Sequence, residues 1–199
     1  MATPNRVTKE DLIASAQRCI QEKGLDKLTF KAVAQGAGVT QGTVYYHFKT
    51  KEQLMLEIVQ SICTDSWQEV DTHQNTRNPE EAIVHVLERA RDRCNEKSFH
   101  TLFFSLVVHS LQNPALRDQL NEMLERENSH AALLLARLFP AEKTSSSHSL
   151  KYRAVMANAL VDGLALQALL NPNFPTEEVY SELITSALAI VSNPTDKDA

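Results

Sequence analysis

Residues 40–54 read TQGTVYYHFKTKEQL, so two tyrosines, a histidine and two lysines fall between Tyr45 and Lys51. If Val44 and Phe48 are the buried i, i+4 pair of a helix, Tyr46 lies on the opposite side and Tyr45 on the flank. At least one large aromatic is then exposed, and followed by Lys49 and Lys51 it suits a surface that meets DNA. A second set of residues could line a small-molecule site, because each is large or polar on an otherwise apolar segment: Trp67, Phe99, His100, Phe103, Phe104 and His109. Plain core packing accommodates each of them as well. Asp162 stands beside Gly163 inside an apolar stretch, where a buried carboxylate needs a partner and an internal glycine costs ~1 kcal/mol. Either that helix packs closely at the glycine or Asp162 serves a site.

Other chemistries fail on spacing. GAGVTQG at 36–42 places its third glycine one position late for a dinucleotide-binding turn, and a helical stretch rather than a strand precedes it. No nucleophile elbow, metalloprotease pair or phosphate loop occurs, so no enzyme is expected. His100 and His109 are nine apart and no Cys or His pair has ligand spacing, so no metal and no cofactor is expected. Cys19, Cys63 and Cys94 are an odd set without paired spacing and read as small buried hydrophobes in a reducing compartment.

Those residues need elements to hold them, and the composition supplies helices. The 199 residues are 43% hydrophobic with only five glycines, and Leu and Ala are plentiful, which favours an all-α protein. Charge is uneven. Residues 1–51 carry eight Lys or Arg against four acids, a balance of +4, whereas residues 52–199 carry twelve against twenty-one, a balance of −9. A basic head on an acidic body fits DNA binding by the head. The N-terminus lacks an apolar leader, and the apolar runs fall short of the roughly 20 residues that span a bilayer, so a soluble cytoplasmic protein with no membrane partner is expected.

Helix signals divide the chain into about nine helices. Thr8 caps the first, which stops at Gly24; Thr29 caps FKAVAQ; Thr40 caps a third helix ending near Phe48. Thr50 opens a capping box in which Gln53 reaches back, and a long fourth helix runs to about Val70. Asn78-Pro79 and Asn113-Pro114 start two more. FHTLFFSLVVHSL (99–111) is apolar nearly all round and reads as a buried central helix. Residues 114–139 form an amphipathic helix, AEKTSSSHS a polar loop, and two last helices occupy about 150–170 and 176–192.

Two short helices joined by a glycine-bearing turn make a helix-turn-helix, whose second helix enters the major groove. Here TFKAVAQGAGVTQGTVYYHFKTKEQL closely resembles the DNA-binding head of TetR-family transcriptional repressors, densely over residues 8–60. The resemblance implies a head of residues 1–51, a connector helix of 51–70, and a ligand-binding and dimerisation body of residues 52–199. It implies that Gly42 lets the start of helix three approach DNA while Gln41 and Thr43 reach base edges or phosphates. Tyr45 and Tyr46 would offer hydroxyls and ring faces, His47 would donate to a phosphate, and Thr29, Thr40 and Lys51 would meet the backbone. Lys49 reads as a solvated charge, Tyr45 also fits packing against helix one, and His47 also fits a satisfied structural role. VDGLALQALLNP resembles the BetI-like branch of the family.

The last two helices carry more apolar surface than a peripheral pair needs, so two copies are expected to form a four-helix bundle; the alternative is that these stripes only close the monomer's own core. Two readings follow: a homodimeric repressor on a pseudo-palindromic operator, released by an apolar or amphipathic small-molecule effector, or a DNA-binding regulator without such an inducer, controlled by a protein partner.

Overall fold

The computed structural model describes residues 7–74, 79–138 and 147–192, and all the elements among them are helical. In chain order they are α1 (Lys9–Lys23), a short 3₁₀ turn (Leu25–Lys27), α2 (Phe30–Ala37), α3 (Gln41–His47), α4 (Lys51–Gln74), α5 (Pro79–Glu96), α6 (Ser98–Ser110), α7 (Pro114–Leu138), α8 (Ser147–Leu170) and α9 (Thr176–Ser192). The polar loop and the Asn78 cap expected from the sequence fall mainly outside the described residues. Two compact units result: residues 1–62 with 101–120, and residues 63–100 with 121–199.

In the first unit the caps act much as their residue types dictate. Thr8 and Asp11 form a reciprocal capping box on α1, and Thr29 and Thr40 accept from Ala32 N–H and Thr43 N–H to start α2 and α3. Gly38 ends α2 in the left-handed conformation, φ 68°, which glycine adopts without cost. At the fourth helix the box is displaced: Thr50 accepts from Gln53 N–H, but the Gln53 side chain accepts from Lys49 N–H, one residue before the expected partner. Val44 and Phe48 are both fully buried, as the i, i+4 reading of α3 requires, and they join Leu12, Ala16, Val33 and Leu54 inside the unit.

Gly36 plays a part that its place near the turn does not suggest. A Cβ there would lie 2.5 Å from the Ser15 hydroxyl, which donates to Val33 O at 3.0 Å, so α1 and α2 cross where a side chain is missing. Gly36→Ala should therefore destabilise the unit by about 1–3 kcal/mol despite alanine's better helix propensity. Adding Ser15→Ala, which removes the obstructing hydroxyl, should recover most of that loss in urea unfolding. An unchanged midpoint for the single substitution would rule the contact out.

α6 departs from the buried central helix expected of its composition. Leu102, Phe103, Leu106 and Ser110 are covered, but Val108 and Leu111 just beyond it are exposed, because neighbours cover one side of a helix that is apolar on all of them.

In the second unit α5 packs against α8 and α9, around Ala90, Cys94, Ala165, Ala168 and Tyr180. A smaller group gathers Ala82 and Leu134 with Ile83, Val86 and Leu135. α8 buries Leu150, Ala154, Ala165 and Ala168, and presents Tyr152, Val155, Met156, Leu160, Leu166 and Leu170 outward. Residues Leu150–Leu170 are long and apolar enough to cross a membrane by length and composition. Lys151, Arg153 and Asp162 break it, so it holds no uninterrupted apolar run of that length.

Candidate functional sites

The short helix α3 holds most of the residues expected at a DNA surface. Its start is open: Gln41 and Gly42 are exposed and Thr43 is half-buried. A Cβ at Gly42 would meet only the Thr40 hydroxyl, at an ordinary 3.6 Å, so nothing inside the fold demands glycine there. Tyr45 is 56% and Tyr46 71% exposed. Tyr45 leans edge-on against Phe30 of α2, at 6.3 Å between ring centroids, while Tyr46 stacks edge-on with His47 at 5.3 Å. Lys51 is exposed in the first turn of α4, and Thr29 is exposed at the α2 cap.

Lys49 is more than the solvated charge its sequence context suggests. Its ammonium donates to Tyr45 O at 3.4 Å and Tyr46 O at 3.1 Å, and lies 5.4 and 5.5 Å from the two tyrosine ring centroids. It thus bonds the last carbonyls of α3, where a cation complements the helix dipole, and holds both rings by cation–π attraction. On the inner side Lys9 ion-pairs with Glu57 of α4 and lies over the Phe48 ring.

The residues expected to line a small-molecule site divide between the units. Phe103, Phe104 and His109 belong to the first. There Phe103 and Phe104 touch at 5.4 Å, while exposed His109 pairs with Glu52 at 3.6 Å. Trp67, Phe99, His100 and Asp162 belong to the second, where Phe99 packs edge-on against His100. Three of these, Trp67, His100 and Asp162, join a polar group to which Cys63, Arg93, Glu127 and His130 also belong. Trp67 Nε1 donates to Glu127 Oε2 at 2.8 Å, and its ring is 5.0 Å from that of His130. Arg93 donates to Ser66 Oγ at 3.3 Å, and His100 Nε2 is 4.0 Å from Asp162 Oδ1. Nothing lies within 4 Å of a Cβ added at Gly163, so close packing within the chain does not account for that glycine.

Burial dominates the electrostatics of this group. Desolvation pushes Asp162 up to about 6, against the opposing pull of Arg93, and raises Glu127 against its Trp67 hydrogen bond. It lowers His100 to about 4, with Arg93 adding to the effect, so the imidazole is neutral at pH 7. Burial likewise raises the Cys63 thiol and lowers Arg93, though a guanidinium remains charged throughout. The sequence does carry a signal for the members it failed to reveal. Arg93 flanks the Val86, Ala90, Cys94 stripe of α5, and Glu127 and His130 continue the Leu116, Leu120, Met123 stripe of α7. Charge at a core-facing helical position marks a buried polar site.

A glycine turn followed by a short helix with exposed aromatic and basic side chains, all on a small three-helix module, defines a helix-turn-helix DNA-binding protein. The chain belongs to the TetR family of bacterial transcriptional regulators: residues 12–58 match the bacterial regulatory proteins of the tetR family, and residues 79–191 match the BetI-type transcriptional repressor C-terminal region. It is 25% identical over 185 residues to the HTH-type transcriptional regulator BetI of Brucella anthropi, covering 92% of each chain. Two solved regulators share its fold. FadR from Bacillus subtilis, in complex with stearoyl-CoA, superposes with a TM-score of 0.68 at 17% identity, covering 92% of this chain and 97% of that one. A regulator from Saccharomonospora viridis in complex with choline gives 0.66 at 20% identity, covering 87% and 92%.

Proposed function

We propose that this regulator is a cytoplasmic homodimeric repressor that binds a pseudo-palindromic operator through residues 1–51 and releases it when a small molecule binds the body of residues 52–199. The observation that carries the reading is the outward face of α3, where Tyr45 and Tyr46 stay exposed on a module whose own core, centred on Val44 and Phe48, is already complete. Such a face serves a partner rather than the fold. Gln41 and Thr43 then read base edges beside Gly42; Tyr45, Tyr46, His47, Thr29, Thr40 and Lys51 bond the backbone; Lys49 fixes the tyrosines.

Dimerisation is assigned to the last two helices, because α8 turns Tyr152, Met156 and Leu160 outward. We read this face as a protein interface rather than part of a membrane span, since Lys151, Arg153 and Asp162 interrupt the apolar stretch of the helix that carries it. A two-fold pair places recognition helices about 34–36 Å apart, or somewhat more, one per half-site. The fold does not choose the effector, given that neighbours of the same fold hold ligands as unlike as stearoyl-CoA and choline. α4 carries Lys51 at its first turn and Trp67 farther along, so it is the element that both sites can bias. A ligand favouring the arrangement that does not fit DNA weakens the operator complex, and by reciprocity DNA weakens the ligand.

The direct test is to capture genomic fragments on the purified full chain and sequence them. Enriched fragments should share an inverted repeat, and fragments without a common sequence would overturn the reading. Within such a site the head residues divide the work. Lys51→Ala should weaken all sequences alike and reduce the slope of log K against log salt by about 0.9, because one phosphate contact is lost. Gln41→Ala should instead relax preference at one position by about 1–3 kcal/mol. Identical behaviour of the two variants in a salt titration and a base-substitution scan would refute these assignments.

A further inference from the structure

Lys49 stands where the chain leaves α3 and turns into α4, and both ends of the residue are held. Its backbone N–H donates to the Gln53 side chain in the first turn of α4, at 3.0 Å. Its ammonium reaches back to the Tyr45 and Tyr46 carbonyls, in the last turn of α3, where a helix leaves its carbonyls short of donors. Two of the three ammonium N–H groups are thereby used. The same ammonium lies 5.4 and 5.5 Å from the Tyr45 and Tyr46 ring centroids, inside the ~6 Å over which a ring face attracts a cation. Tyr45 meets Phe30 on α2 and Tyr46 meets His47, so one charge ties five side chains into a single cluster.

That arrangement bears on how DNA is told apart from DNA. A free tyrosine on an exposed face gives up rotamer freedom when it binds, and a tyrosine already held gives up less. The gain is realised only where the duplex presents groups that fit the held geometry. Non-specific binding rests instead on phosphate charge, which neutral hydroxyls and rings do not supply. Contacts from fixed tyrosines set the register of α3, and register decides whether Gln41 and Thr43 meet their bases. A lysine reaching for a phosphate has the opposite signature, because it strengthens every sequence alike.

We propose that Lys49 is a positioning residue for operator discrimination, its ammonium clamping Tyr45 and Tyr46 into one preset surface and making no phosphate contact itself. The proposal rests on the reading of α3 as the DNA-facing helix and names the residue that sets its selectivity.

The experiment compares Lys49→Met and Lys49→Arg with the parent on the captured operator and on random duplex of equal length, across a salt series. Lys49→Met should weaken the operator complex by about 10-fold, the size expected when two ring side chains must be immobilised on binding. Its affinity for random duplex should change by less than about 2-fold, and the slope of log K against log salt should stay within about 0.2 of the parent. Lys49→Arg, which keeps the cation and its donors, should restore the operator affinity. A slope reduced by about 0.9 with equal losses on both duplexes would make Lys49 a phosphate contact and overturn the proposal. Unchanged operator affinity would overturn it as well, leaving a solvated charge. A double-mutant cycle separates the clamp from simple capping of α3, since the carbonyl bonds survive removal of the rings. In a chain already carrying Tyr45→Leu and Tyr46→Leu, Lys49→Met should cost less than about 2-fold further, and a full additive loss would refute the clamp. The free protein provides an arm independent of DNA. The ε-methylene protons of Lys49 should resonate upfield of an ordinary lysine in the proton NMR spectrum and return downfield in the tyrosine double variant. Unshifted protons would overturn the clamp even with operator binding intact. Shifted protons together with captured fragments that share no sequence would establish the clamp and refute the operator reading, and with it any role for Lys49 in discrimination.

Discussion

Met156→Glu combined with Leu160→Glu should turn the protein into monomers and lower operator affinity by about 100-fold or more. The two side chains are 70% and 48% exposed on α8, so neither contributes enough burial within the protomer for the substitution to unfold it. In the proposed two-fold pair this face meets its own copy, and four carboxylates in an apolar interface would oppose association through desolvation and repulsion. The loss at the operator follows from linkage. The second half-site is bound at an effective concentration set by the first, and separating the heads removes that gain of about 10²–10⁴. Analytical ultracentrifugation and operator titration check both parts, and unchanged thermal unfolding of the isolated protomers confirms that the fold survived. A variant that remains dimeric would move the interface elsewhere on the molecule.

Phe48→Ala should abolish DNA binding without altering any side chain proposed to face DNA. Phe48 has no exposed surface; it ends α3, its N–H donates to Val44 O at 2.9 Å, and its ring lies beneath the Lys9 ammonium. Deleting the ring leaves a cavity where α3 and α4 join, at a cost of about 3–5 kcal/mol. Domains are stable by only about 5–15 kcal/mol, so much of the head's margin is lost, and with it the fixed orientation of Tyr45, Tyr46 and Lys49. Phe48→Leu, which keeps most of the volume, should cost less than about 1.5 kcal/mol and preserve binding. Urea unfolding of the two variants gives the comparison, and a midpoint for Phe48→Ala close to that of the parent would show that the ring does not hold the head together.

The first three helix caps and the outward tyrosines were legible in the sequence because each depends on neighbours in the chain, whereas the ends of α4 and the start of α8 were only approximate. Thr8, Thr29 and Thr40 bond amides three residues on, and the burial of Val44 and Phe48 leaves Tyr46 nowhere to go but outward. Local spacing therefore determined the all-helical class and the module that carries α3. The tertiary structure alone decided what long-range packing controls. It set Gly36 against Ser15, turned the Lys49 ammonium over two rings, and left Val108 and Leu111 uncovered on a helix apolar all round. It also gathered Trp67, His100 and Asp162 into a polar group that includes Arg93 and Glu127. Arg93 and Glu127 lie on or beside the core-facing stripes of α5 and α7, but spacing within one helix does not state that α4, α5, α7 and α8 bring them together. A charge becomes costly, and therefore informative, only when helices distant in sequence take its water away.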